Sequence, residues 1–152
     1  MAIVRKYKET VEDAFVAVLQ AHSDLTGVIA SGQIRRWDDA SVTDNQAAYV
    51  LVDSTVAQAD PGGEPQTARK QVFVNIRALT YKPTDADAST VNDAFAAIQD
   101  KLEDSALLAE LIAAVSNTTF FAVRLVEADD DDADAWRWRQ VTLDVRLKIT
   151  PP

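Results

Sequence analysis

The sequence predicts an α+β domain: a mainly antiparallel sheet of about four to five strands, with two main helices packed on one face, in the order α-β-β-β-α-(α)-β-β. Two observations predict it. Apolar residues recur at helical spacing in two segments, around Val11–Leu19 and Val91–Leu102, and at period two in others, most strictly from Val141 to Ile149. Strands and helices also come in runs rather than in strict alternation, which separates α+β from α/β. The 152 residues, 47% apolar and 26% charged, suit one globular domain over 1–152, with no repeat and no inter-domain linker.

The elements follow in order. Val11, Phe15, Val18 and Leu19, with Tyr7 and Ala14 on the same side, predict a first helix over Glu9–Ala21 whose polar face carries Glu9, Glu12, Asp13 and Gln20. Asp24–Gly27 ends it, and Ile34–Trp37 reads as a short strand. Ala47–Val56 is rich in β-branched and aromatic residues and reads as the next strand. Asp60, Pro61, Gly62 and Gly63 then gather turn formers, so an exposed hairpin loop is expected at about 58–68, leading to a long strand over Gln71–Tyr81. Thr84 is placed to cap a second helix running to about Asp104, with Val91, Phe95, Ile98 and Leu102 as its core stripe. Leu107–Val115 suggests a short third helix that Asn117 stops. Phe120–Val126 and Val141–Ile149 close the fold as strands joined by an acidic loop at about 127–135.

Composition restricts the chemistry. The formal charge of -9 argues against a protein whose main work is gripping nucleic-acid phosphates, which takes Lys and Arg. It is unevenly spread: residues 83–152 carry 6 basic and 14 acidic side chains, against 9 and 10 in residues 1–82. With no cysteine, thiol catalysis, thiolate metal sites and disulfides are excluded. The apolar opening Ala2–Val4 stops at Arg5-Lys6, too short for a signal-peptide core, and no long uncharged apolar run would span a membrane, so a soluble, cytoplasmic chain is expected.

Candidate sites are few. Six acids fall within 127–134: Glu127, Asp129, Asp130, Asp131, Asp132 and Asp134. A calcium loop needs alternating oxygens, a central Gly and a terminal Glu, a spacing absent here, so no metal and no cofactor is expected; a solvated, polyanion-repelling segment is the reading preferred. His22, the single histidine, falls at the carboxyl end of the first helix, where the dipole favours a cation. Ser31-Gly32 and Pro61-Gly62-Gly63 lack phosphate-loop spacing. Nothing points to an enzyme. Trp136 and Trp138 share the parity of Gln140, Thr142 and Asp144, which puts both indoles on the polar side of the last strand. Either a bulge tucks them into the core, or they form an aromatic patch with Arg137 and Arg139 of the kind enriched at protein interfaces.

The layout resembles that of the tail terminator, or tail-completion, proteins of long-tailed bacteriophages. The resemblance rests on a leading helix that ends in Leu25-Thr26-Gly27-Val28-Ile29, the strand Ile34-Arg35-Arg36-Trp37, the strands Tyr49–Val52 and Val72–Tyr81, the helix around Val91–Ile98 and two closing strands. It covers nearly the whole chain and involves no single diagnostic motif. It implies a structural virion subunit, assembled in the host cytoplasm, that forms a ring, expected to be a hexamer, at the tail-neck region. Its implied partners are other copies of itself, the tail tube protein and a head connector or neck protein, with DNA passing without specific binding. Asp129, Asp130, Asp131, Asp132 and Asp134 would then face the channel. Trp136, Trp138, Arg137 and Arg139, with Asp60, Pro61, Gly62 and Gly63 at the hairpin tip, would meet a subunit or the tube. A neck adaptor or stopper, a small-molecule-binding regulatory domain using the half-polar sheet as a ligand floor, and a metal-dependent enzyme using the Asp run are the alternatives.

Overall fold

The computed structural model describes residues 2–37, 48–57, 70–80, 85–133 and 136–150, with side chains except at 2–5, 85–88, 129–133 and 136–137. Five strands form one sheet in the order β1-β2-β3-β5-β4, built from β1 (Ile34–Arg36), β2 (Ala48–Val56), β3 (Lys70–Thr80), β4 (Thr118–Ala133) and β5 (Trp136–Ile149). β2, β3, β5 and β4 pair antiparallel. β1 runs parallel to β2, with Ile34 opposite Val50, which makes the sheet mixed rather than purely antiparallel.

Helices α1 (Ala2–Ala21), α3 (Asp85–Leu102) and α4 (Leu107–Ala114) cover one face, and the single turn α2 (Ser23–Thr26) follows α1. The alternation decides what lies beneath them. Val50 and Val52, Val72, Val74 and Ile76, and Val141, Leu143, Val145 and Leu147 share that face and join Phe15, Leu19, Ile98 and Leu111 in one dry core. Each of these large side chains contributes about 1.5–3 kcal/mol by leaving water.

Several boundaries move. α1 starts at Ala2 rather than Glu9, which brings Tyr7 into the core, where its hydroxyl accepts the Ile149 N–H at 3.0 Å. The expected polar face of α1 is largely tied down. Glu12 is fully buried, Asp13 meets Arg36 at 3.3 Å, and Gln20 donates to the Ser31 and Ile34 carbonyls. The expected acidic loop is mostly strand: β4 continues to Ala133, opposite a β5 that starts at Trp136. The register places Asp130 opposite Arg139 and Asp132 opposite Arg137. Asp134 and the hairpin segment 58–68, with Asp60, Pro61, Gly62 and Gly63, lie outside the described residues. The strands flanking that segment do pair antiparallel, with Val56 opposite Val72.

The break between α3 and α4 is held by Asp104, which accepts the Ala106 N–H at 2.9 Å. That bond, with Lys101 beside it, keeps the Asp104 carboxyl below its usual range. Lys101 binds Glu110 at 3.0 Å, and this bond outweighs burial and holds its ammonium above the usual range. Asn117 then turns the chain into β4 with φ 57°, a left-handed conformation that Asn tolerates better than other residues with a side chain.

Candidate interaction surface

Because the helices sit on one face, the other side chains of β2, β3 and β5 share the opposite face. Tyr49, Leu51 and Asp53 stand beside Leu79, Arg77 and Asn75, which in turn face Trp138, Gln140 and Thr142. Two kinds of surface result. At one end Tyr49, Leu51 and Leu79 are buried in a small apolar cluster of their own, against which half-buried Trp138 packs. Toward the other end this face is a ladder of polar pairs: the Thr142 hydroxyl donates to Asn75 at 2.7 Å, Gln71 to Asp144 at 3.0 Å, and Arg146 to the same Asp144 at 3.1 Å.

Arg77 joins the two. Its guanidinium lies 4.5 Å from the Trp138 ring centre and 5.8 Å from that of Trp37, and it donates through Nε (2.9 Å) and Nη2 (2.6 Å) to Gln140 Oε1. Stacking of this kind favours a planar cation. Arg35 lies 5.6 Å over the Tyr49 ring. Trp37, Leu51, Asp53, Asn75, Arg77 and Gln140 line a depression of about 210 Å³ on this face. Trp37 is 46% exposed, so part of its aromatic surface stands in water beside Arg77. Such a combination is enriched where proteins meet.

A second polar group sits where the sheet edge meets α1. β1 pairs with β2 only as far as Val52, and Lys8 reaches the stretch beyond, donating to the Ser54 carbonyl and the Asp53 carboxylate at 2.9 Å each and to Glu12 at 3.2 Å. Burial raises the Glu12 pKa, against the opposing pull of the Lys8 hydrogen bond and the charges of Lys8 and Arg36. Burial works to lower Lys8, but its bonds to Asp53 and Glu12 prevail and leave it raised. This is a structural anchor rather than a site: its one ammonium already occupies the position between the carboxylates.

The residues expected to act from the sequence are only partly brought together. Trp138 lies on the face opposite the helices, as its parity requires, and packs partly buried against Tyr49, Leu51 and Leu79. Arg139 points the other way and donates to Asn92 of α3 at 3.1 Å. Trp136 and Arg137 are placed on β5 opposite Ala133 and Asp132, and Asp129–Asp132 on β4; their side chains lie outside the described residues. Trp37 and Arg77 are the residues that sequence reasoning missed. Their signal is faint, since Arg77 shares the parity of Leu79 on its strand but no local pattern links it to Trp37. His22 directly follows α1, and its carbonyl accepts the N–H groups of Leu25 and Thr26. Among the described residues no three acidic or histidine side chains gather as a metal site, and no helix is long and apolar enough to cross a membrane.

The fold is one seen in a virion. It matches a chain of the structure described as "Virion of native gene transfer agent (GTA) particle" with a TM-score of 0.65, at 18% sequence identity, over 93% of this chain and 96% of that chain. The match runs almost end to end in both, so the likeness to the gene transfer agent chain is one of a whole domain. At that identity it is a likeness of fold. No protein-family model matches the sequence, and no curated protein does.

Proposed function

We propose that this chain is a structural subunit of a tailed, phage-like virion and, within it, a tail terminator. In this reading its copies form a six-fold ring that caps the tail tube, meets a head connector or neck protein on the other side, and lets DNA pass without binding it. No catalysis, cofactor or metal enters the reading. The observation that carries it is the shared fold, near end to end, with a chain of a gene transfer agent virion. The order of elements supports it, and so does exposed Trp37 beside Arg77, which stacks on Trp138, a grouping of the kind that a subunit buries on assembly. A formal charge of -9, with six acids within 127–134, suits a lumen that must not hold phosphates.

Light scattering and electron microscopy of the purified chain, alone and with isolated tail tubes, test this reading. Rings seated on tube ends are expected. A chain that stays monomeric at millimolar concentration and leaves the tubes bare would overturn it, and rings that bind a portal-side connector but not the tube would replace the terminator with a neck adaptor or stopper. The depression beside Trp37 favours a second reading, a small-molecule-binding domain. It measures only about 210 Å³, and the virion reading is preferred because the fold match runs almost end to end in both chains.

A further inference from the structure

β4 forms one edge of the sheet, and from Arg124 onward it runs out of the core. Leu125 is 61% exposed and Val126 55%, and Arg124, Glu127 and Ala128 around them are exposed as well. Two adjacent large apolar side chains on a strand edge are a surface that calls for a partner. Register fixes where the flanking charges stand. Arg124 lies opposite Asp144 and Glu127 opposite Thr142, two positions on the face of β5 turned away from the helices, since Val141, Leu143 and Val145 between and beside them are core. Residues three apart in a regular strand point to opposite faces, so it is the extra residue at Val126, a β-bulge, that brings Arg124 and Glu127 to the same one. Asp144 is engaged by Gln71 and Arg146, and among the described residues neither Arg124 nor Glu127 has a hydrogen-bond or ion-pair partner.

We propose that the Arg124–Glu127 edge of β4 meets the same edge of a second copy, antiparallel, about a two-fold axis between Leu125 and Val126. The stretch Arg-Leu-Val-Glu is its own complement when read backwards. Arg124 comes opposite the partner's Glu127 and Leu125 opposite the partner's Val126, each pair formed twice. An edge-to-edge two-fold keeps the sheet faces continuous, so the opposite charges of each pair fall on one side, where the bulge has placed them. Like charges stay apart. In this register the acidic ends of the two β4 strands are separated by about seven residues, roughly 24 Å, well beyond a Debye length of about 8 Å. Because bulges interrupt the even ladder that strand addition needs, these four side chains per copy carry the contact, which makes it small and reversible. It is isologous and closes at two copies. It concerns the free subunit and does not depend on the ring reading.

Sedimentation velocity of the purified chain over a concentration series should show a species of twice the chain mass. Glu127→Arg and Arg124→Glu each set like charges against one another across the axis and should raise the concentration for half-dimerisation about tenfold, with the circular dichroism unchanged. An equimolar mixture of the two single variants restores opposite charges and should dimerise like the native chain, as should the chain carrying both changes. The chain has no cysteine, so Val126→Cys puts a lone thiol beside the axis, where a short bismaleimide should link it to its own copy. A chain that is monomeric throughout, a dimer that neither charge variant weakens and no mixture rescues, or a Val126→Cys thiol that stays unlinked would overturn the contact. Rings seated on tail tubes in any of those cases would leave the ring reading standing.

Discussion

The hydroxyl of Tyr7 accepts the backbone N–H of Ile149 at 3.0 Å, fastening α1 to the last residue of β5 inside the core. Tyr7 is 4% exposed and Ile149 6%, so water cannot replace the bond. Tyr7→Phe keeps the ring and orphans one buried N–H. It should therefore cost about 1–3 kcal/mol, read as a lower urea midpoint at unchanged slope. An unchanged midpoint would mean that Ile149 finds another acceptor.

The buried Glu12 makes stability depend on pH in a definite direction. Its folded pKa lies above the ordinary 4.5, so between the two values the folded chain holds a proton that the unfolded chain has released. The sign follows from linkage: Glu12 favours folding at the acid side, and that advantage is lost as pH rises through its folded pKa. Glu12→Gln removes the titration. Urea melts from pH 4 to pH 7 should show the native chain losing stability relative to this variant as pH rises, and a flat difference would contradict the burial argument.

Lys8→Met tests the other half of the anchor. It leaves the Glu12 carboxylate buried without its ammonium and strips the Ser54 carbonyl of a donor. A loss of roughly 3 kcal/mol is expected, at the lower end for a broken buried pair because Lys8 itself is partly exposed. The double change with Glu12→Gln should recover part of it, which a double-mutant cycle would measure.

Trp37 and Trp138 should separate assembly from folding. Trp138→Ser uncovers Tyr49, Leu51 and Leu79 and removes the ring stacked on Arg77, so it should destabilise the monomer by about 2 kcal/mol. Trp37→Ser removes a side chain that is largely in water and should leave the melting temperature within a degree or two while weakening assembly. Calorimetry of the two variants beside light scattering would show the split; equal effects on the monomer would contradict it.

Asn117 gives a backbone test. Its φ of 57° penalises a side chain that cannot hydrogen-bond locally, so Asn117→Ala should cost about 1 kcal/mol and Asn117→Gly close to nothing. Denaturant melts of the pair decide it.

What could be read in the sequence was whatever a single element declares about itself. Val141 to Ile149 alternate because one side of β5 is core, and Val91, Ile98 and Leu102 repeat at helical spacing because one side of α3 is. What was illegible depends on partners distant in sequence. The acids of β4 look like a loop until the strand is seen paired with β5 along its length. Glu12 looks exposed until Lys8 is seen to span from α1 to the free stretch of β2. Trp138 had the right parity, but its companions Arg77 and Trp37 come from β3 and from the end of β1, and no local pattern links them. The parallel pairing of β1 with β2 is likewise a fact of register alone.

β5 is last in sequence among the five strands, yet it lies inside the sheet, between β3 and β4. This sets an order of events during synthesis. When a ribosome has delivered the chain as far as β4, β3 and β4 still lack the strand that will join them, and the apolar faces of α3 and α4 have only part of their floor. The domain therefore closes late, after residue 149 has emerged, and contacts between residues far apart in sequence dominate that step, which makes it slow. Until then β3 and β4 each keep an open side where β5 will pair, so the tethered chain stays unfinished to its last strand.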